Sequence, residues 1–306
     1  MKRFSRKRIW LAISFVIILL LIFILFWKTG FLQKNSIDDR DLEAWDYVDG
    51  VIVGSEAFWL DGGNETCWYL IHGYTSTPAE MKGIAGSLHA EFGDTVFVTR
   101  LWGNGEVPSH ILNLTLFDWY SQVSGEFDEL EERCDEVNLV GFSFGGALSA
   151  RLAEERDVNN LYLLAPYLVA TYDFYHGLRS ETYLNLFSDL FLYTKKRKIG
   201  QINSEEGLEN HVAYWNMPLT PIKYSKEFFE EVKINLGKID EPVLLQHSKK
   251  DKASDMDSSV LIYDGVSSEV KELIVFEKSN HILPADYDKE DVVLNIIDFE
   301  KRMREE

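Results

Sequence analysis

The sequence predicts an α/β domain built on a mostly parallel sheet and carried behind one N-terminal membrane helix. Three observations carry that expectation. From about residue 46, short apolar runs alternate with amphipathic ones, as in a parallel sheet with flanking helices. Ahead of them, Ile9 to Trp27 is a stretch of 19 residues with one polar member, Ser14. Finally, a glycine-flanked serine, Gly141-Phe142-Ser143-Phe144-Gly145, stands between an apolar run and a helical pattern.

The N-terminal stretch comes first in the chain. A helix of that length spans about 28 Å, close to the hydrocarbon core of a bilayer. Five basic residues precede it, and Trp10 and Trp27 sit at its ends as interface residues would. The excess of Lys and Arg before the span keeps residues 1–8 in the cytoplasm and places everything after Lys28 outside. A cleaved signal peptide needs a shorter core and small residues at the cut. Lys28-Thr29-Gly30-Phe31-Leu32-Gln33-Lys34 offers no such pair, so an uncleaved anchor at 9–27 is the reading. Residues 28–45 are then a polar tether to a domain at 46–306.

Charge divides the chain in the same place. Residues 1–34 hold seven of the 31 basic groups and no acid, which leaves 24 basic against 50 acidic groups in the other 272 residues. A body with a net charge of −26 repels a phosphate backbone, so nucleic acid is excluded as a partner. Two cysteines, Cys67 and Cys134, exclude a disulfide-dense scaffold and any CxxC metal or redox motif.

Within the acidic body the expected strands are Ala57–Leu60, Cys67–Ile71, Thr95–Thr99, Val137–Val140, Leu161–Leu164, Val243–Gln246 and Glu272–Phe276. Helices are expected over 78–92, 117–133, 144–156, 257–265 and 288–304. The alternation breaks between the strands at 161–164 and 243–246. A structureless loop of that length does not fit a compact domain. The interval reads as helical and is rich in aromatics, among them Tyr172, Phe174, Tyr183, Phe187, Tyr214, Trp215, Phe228 and Phe229. Most of these form the insert's own core, and the excess suits a lid over an apolar pocket. Lys195-Lys196-Arg197-Lys198 reads as a solvated turn.

The chemistry centres on Ser143. A strand-to-helix turn this tight leaves no room for side chains beside the serine, hence the glycines, and it lifts the hydroxyl above the sheet at a helix N-terminus. A serine needs a base. On such sheets the order along the chain is serine, acid, histidine. Of seven histidines, His281 follows the last strand in a polar loop before the last helix. The acid belongs after the strand Val243–Gln246, where it fixes the imidazole tautomer. Asp251 stands five residues past it, with Asp255 and Asp257 as competitors. The tetrahedral intermediate needs two backbone N–H donors. One is Phe144, after the serine. The other is Tyr74, in the turn His72-Gly73-Tyr74-Thr75, where His72 braces the loop.

Leu70-Ile71-His72-Gly73-Tyr74-Thr75 resembles the His-Gly-Phe-Thr oxyanion loop of the bacterial carboxylesterases and monoacylglycerol lipases, a serine-hydrolase group assigned to peptidase clan S33. Leu101-Trp102-Gly103-Asn104-Gly105 with Phe117-Asp118-Trp119 is similar to that group's Gly-His-Gly segment and downstream Asp-Trp. Gln246-His247-Ser248-Lys249-Lys250-Asp251 resembles its aspartate loop, and Phe276-Glu277-Lys278-Ser279-Asn280-His281 its histidine loop. The likeness runs over about 56–304 and is weakest from 167 to 215. It implies an α/β-hydrolase fold with a helical cap at about 167–241. It also implies a triad of Ser143, Asp251 and His281, with Tyr74 and Phe144 as oxyanion donors, which raises Asp251 above its neighbours. The activity implied is hydrolysis of a small-molecule or lipid ester through an acyl-enzyme, with no metal and no organic cofactor. Amide, peptide or thioester cleavage on the same triad, or a non-catalytic binding module, are the alternatives. Asn104, Ser76 and Asn280 depart from the group's usual His, Gly and Gly. In this fold the strands beginning near Cys67 and Cys134 are neighbours, so a bridge is open in an oxidising exterior. Two buried free thiols is the preferred reading.

Overall fold

The computed structural model describes residues 6–28, 40–171, 174–175, 178–179, 182, 192–195 and 201–305. Helix α1 (Arg6–Lys28) is continuous, and its described side chains from Trp10 to Ile24 are exposed and, but for Ser14, apolar. Ile9 and residues 25–27 of the expected span have side chains outside the described residues, as does most of the tether, 29–39. Among the described residues no helix is long and apolar enough to cross a membrane.

The chain then makes a short helix α2 (Arg40–Glu43) and a small hairpin, β1 (Tyr47–Val48) with β2 (Val51–Ile52). Five strands follow: β3 (Phe58–Leu60), β4 (Gly63–Ile71), β5 (Asp94–Val98), β6 (Glu136–Phe142) and β7 (Leu161–Leu164). Between them lie α3 (Lys82–Phe92), α4 (Leu116–Glu131) and α5 (Phe144–Ala153). Beyond β7 come the short strands β8 (Phe174–Tyr175), β9 (Leu178–Arg179), β10 (Tyr193–Lys195) and β11 (Asn216–Pro218), then β12 (Val243–Ser248) and β13 (Lys271–Phe276). A helix over Lys289–Glu305 closes the chain.

Seven strands form the central sheet in the order β13-β12-β7-β6-β4-β5-β3, parallel except for β3, which runs antiparallel to β5. Helices cover both faces, so the inner strands are apolar on both sides rather than alternating. In β4, Trp68 and Leu70 pack into the core with Val140, Tyr162 and Phe299. Cys67, Tyr69 and Ile71 point the other way, into the core with Trp119, Phe127 and Phe144. Helix α4 shows why it forms: Leu116, Trp119, Val123, Phe127 and Leu130 make one buried stripe at helical spacing. Thr115 and Asp118 close a capping box at its start. The Asp118-Trp119 pair is therefore architectural, and Trp119 Nε1 donates to the Trp102 carbonyl at 3.0 Å.

Two expectations change. The interval between β7 and β12 is not purely helical: β8 pairs with β9, and β10 with β11, both antiparallel and outside the main sheet. Strands of two or three residues are too short to leave a periodic signal. Tyr214, Phe228 and Phe229 join the main core, with the Phe229 ring edge-on to Phe144 at 5.5 Å. Tyr172, Tyr183 and Phe187 lie outside the described residues, as do residues 196–198 of the basic run, whose Lys195 lies in β10 rather than in a turn.

The other change is covalent. Cys67 and Cys134 are not free thiols but a disulfide, with a Cα–Cα distance of 6.0 Å. Cys67 pairs in register with Val137, and Cys134 lies just ahead of β6. Strand pairing thus brings into bonding range two residues 67 apart in sequence. By the chain-entropy argument, closing such a loop stabilises the fold by about 4 kcal/mol. Non-reduced peptide mapping should recover the Cys67–Cys134 pair, and a reductant should lower the melting temperature of the wild type but not that of a Cys67→Ser, Cys134→Ser variant.

Candidate active site

The site is assembled at the carboxyl ends of the parallel strands, on either side of the β4–β6 pair where the sheet reverses its winding, the usual place for a ligand on such a sheet. Ser143 lies between β6 and α5 with φ 56° and ψ −116°, a strained conformation for a side-chain-bearing residue. Hydrogen bonds hold it there: its N–H donates to the Leu164 carbonyl at 2.9 Å, and its own carbonyl accepts from Tyr167 N–H at 3.0 Å. A Cβ on Gly141 would fall 2.5 Å from the Gly145 carbonyl. A Cβ on Gly145 would fall 2.3 Å from the Ile71 carbonyl and 2.6 Å from that of His72. The two glycines therefore set a distance as well as a turn, because they let the start of α5 touch the end of β4.

That contact places the two expected oxyanion residues side by side, and the rings of Tyr74 and Phe144 stack at 4.9 Å. His72 braces the loop as expected. Its Nδ1 lies 2.8 Å from the Gly73 carbonyl, and its Nε2 accepts from Leu101 N–H at 3.2 Å. Both contacts need the neutral ring with its proton on Nδ1. Burial pushes the His72 pKa down to about 4, against a smaller upward pull from the Gly73 carbonyl.

Ser143, His281 and Asp251, which follow three different strands, come together. His281 Nε2 is 2.8 Å from Ser143 Oγ, and Nδ1 is 2.7 Å from Asp251 Oδ2. All three side chains are buried. The other Asp251 oxygen accepts from Ala253 and Ser254 N–H, both at 2.8 Å. Burial by itself would raise the Asp251 carboxyl, but the charge of His281 and hydrogen bonds from His247 and His281 outweigh it and hold the group well below the usual carboxylate range. The competitors stand apart from this line. Asp255 caps the helix Met256–Gly265 by accepting from Asp257 N–H, and Asp257 is exposed in its first turn. With Nδ1–H turned to an ionised carboxylate, His281 Nε2 is free to accept the Ser143 proton.

Two contributors were not read from the sequence. His247 is fully buried, with Nε2 3.3 Å from Asp251 Oδ2 and 3.2 Å from the Ser254 carbonyl, and Nδ1 2.7 Å from Ser259 Oγ. Asp251 is thus flanked by two imidazoles. A lone histidine at a strand end gives no sign of that. Asn280, standing where the resemblance expects Gly, accepts with Oδ1 from Lys252 N–H at 3.1 Å and from His281 N–H at 2.9 Å. Its side chain ties the acid loop to the histidine loop. Asn104 and Ser76 are buried, and Asn104 is held through its backbone by Leu101 and Arg100.

A parallel sheet with a serine turn, an acid and a histidine at its carboxyl ends defines a hydrolase of the α/β-hydrolase fold. The chain belongs to the family described as "Serine aminopeptidase, S33", whose model matches residues 64–288. It is 26% identical to a thermostable monoacylglycerol lipase of Bacillus sp. (strain H-257), over 81% of this chain and 95% of that one. It is 22% identical to a carboxylesterase of Bacillus subtilis (strain 168), over 82% of this chain and 98% of the other. Among solved structures, one from a study of LipS and LipT, two metagenome-derived lipolytic enzymes, superposes with a TM-score of 0.73 at 27% identity, over 84% of this chain and all of that one. The Paleococcus ferrophilus monoacylglycerol lipase, at 15% identity and a TM-score of 0.69, shares the fold over 79% of this chain and 96% of its own.

The His72 environment has a pH consequence. In the unfolded chain the ring takes a proton near 6.5, and in the folded one only near 4. Between those values the unfolded state binds more protons, so this contribution is complete above about 6.5 and is lost as the pH falls toward 4. Urea unfolding of the wild type should show a loss of up to about 3 kcal/mol from this group across that window. His72→Gln should show a shallower fall.

Proposed function

We propose that Ser143, His281 and Asp251 act as a catalytic triad on carboxylic esters of the monoacylglycerol type, at a membrane surface. The chain is a serine ester hydrolase, and the observation that carries the triad is the unbroken line from Ser143 Oγ through the His281 ring to Asp251. In the reaction Ser143 Oγ attacks the ester carbonyl carbon while its proton passes to His281 Nε2. The negative charge gathers on the former carbonyl oxygen, opposite the amides of Tyr74 and Phe144. Collapse breaks the bond to the alkoxy oxygen, which leaves with the proton from His281. Water then repeats the sequence on the acyl-enzyme and frees the acid and Ser143. Asp251 stays ionised throughout and steadies the imidazolium.

The interval 167–241 serves as the cap of this site. Tyr74 Oη donates to the Pro218 carbonyl at 2.6 Å, and Phe229 and Tyr167 pack on Phe144, so the insert reaches the oxyanion residues. An apolar acyl slot gains about 0.8 kcal/mol per buried methylene. Four more methylenes kept in the transition state are worth roughly 3 kcal/mol, or about a hundredfold in kcat/KM. Turnover should therefore rise from acetyl to medium-chain esters, with monoacylglycerols preferred to triacylglycerols. Ser143→Ala should remove both turnover and fluorophosphonate labelling while the far-UV spectrum stays unchanged. A flat response to chain length, or faster cleavage of an aminoacyl amide than of any ester, would point to peptidase chemistry instead.

Residues 9–27 anchor the enzyme, with 1–8 in the cytoplasm, 28–45 as tether and 46–306 outside. Support comes from five basic residues ahead of the apolar stretch and from the Cys67–Cys134 disulfide, a bond of oxidising compartments. Protease added to intact cells or spheroplasts should digest the domain, whereas protection until lysis would place it inside.

A further inference from the structure

The family match begins at residue 64, yet the chain upstream of it is built into the site. Asp41, in α2, has a fully buried carboxylate. Oδ1 accepts from Trp215 N–H at 2.6 Å, and Oδ2 accepts from Asn216 N–H at 2.8 Å and from Asn216 Nδ2 at 2.5 Å. A side chain 174 residues upstream therefore satisfies backbone donors at the start of β11. Such donors are costly to leave buried and unpaired. The rest of the upstream segment docks with it. Trp45 and Tyr47 pack against the main core, Tyr47 Oη donates to the Asp41 carbonyl at 2.6 Å, and Ile52 N–H donates to the Gly105 carbonyl at 2.7 Å.

The strand that Asp41 holds is the one that grips the oxyanion loop. Tyr214 N–H donates to the Thr75 carbonyl at 3.0 Å, and Pro218 accepts from Tyr74 Oη at 2.6 Å. Residues 214 and 218 thus flank Asp41's two partners and clamp two consecutive loop residues. Thr75 needs such a clamp, because its φ of 58° is a left-handed conformation that a β-branched residue resists. Tyr214 Oη adds a bond to the Gly103 carbonyl at 2.7 Å and accepts from Glu106 N–H at 2.8 Å, which ties in the neighbouring loop.

We propose that Asp41 is a positioning residue for the oxyanion loop. Its carboxylate fixes the 214–218 strand, and that strand sets the place of the Tyr74 amide. The proposal rests on the reading of Tyr74 as an oxyanion donor. It makes the last part of the 28–45 tether a working part of the enzyme rather than a spacer.

The test uses the full chain. In Asp41→Asn, one acceptor oxygen becomes an amide nitrogen facing the donors of residues 215 and 216. Amide hydrogen exchange at residues 72–76 should quicken, and kcat per fluorophosphonate-titrated site should fall about tenfold or more, with KM nearly unchanged. Tyr74→Phe, which cuts the link to Pro218, should lower kcat in the same way. The double variant should fall no further than the worse single one, since both act through one strand. Unchanged exchange at 72–76, or a lower melting temperature with kcat per site intact, would overturn the proposal. If Asp41→Asn does not accumulate as folded protein, Asn216→Ala removes only the side-chain bond to Asp41 and carries the same comparison. A wild type that turns over no ester would end the hydrolase reading, while exchange at 72–76 would still decide whether Asp41 holds the loop.

Discussion

The site depends on one close approach, that of the first turn of α5 to the last carbonyls of β4. Gly145 lies so near the Ile71 and His72 carbonyls that a methyl group would overlap both. This contact brings the amide after Ser143 and the turn at Tyr74 to one spot. Side chains can adjust by rotating, but two backbone segments cannot. The strained Ser143 lies just before this contact on one segment and the left-handed Thr75 just after it on the other. The surrounding bonds, from Leu164 and Tyr167 at one segment and from Tyr214 and Pro218 at the other, keep those turns from relaxing.

Around this contact the acidic residues do something that net charge alone would not suggest. Several are buried acceptors for backbone N–H groups. Asp286 accepts from Asn203, Ser204, Asn280 and Tyr287, and Asp288 accepts from Ser279. Asp41 does the same for β11, and Asp251 for its own loop. A carboxylate with two oxygens can gather more donors than a carbonyl can. The loops of the acid and the histidine have few ladder partners, and carboxylates supply many of their missing acceptors. Asn280 extends this to side-chain amides by joining the acid and histidine loops at a place where glycine could join nothing.

The parts legible in the sequence were those set by local chemistry or by chain order. Each of the seven sheet strands is marked by an apolar run, which for the inner strands reflects burial on both faces. The serine turn announced itself through its glycines, and His281 through its place after the last strand. What stayed hidden was pairing over distance. Nothing near Asp41 points to Trp215 and Asn216, and nothing near His247 shows that it shares an oxygen with His281. β10 and β11 were missed because three residues are too few for a period. Strand order makes a bridge between the cysteines possible, but the register that sets Cys67 beside Val137 and so within reach of Cys134 leaves no mark in the sequence. Spacing favours Asp251 over Asp255 only slightly, and the family resemblance widens the gap. In the structure a helix cap accounts for Asp255.

The bond between Cys67 and Cys134 has a consequence for how the molecule comes apart. It joins Cys67, midway along β4, to Cys134, just ahead of β6, and the far ends of these two strands lead to the Tyr74 turn and to Ser143. A chain that has lost every helix still keeps these two strands tethered side by side at one end. One covalent link thus holds close together the two strands that lead to the Tyr74 turn and to Ser143.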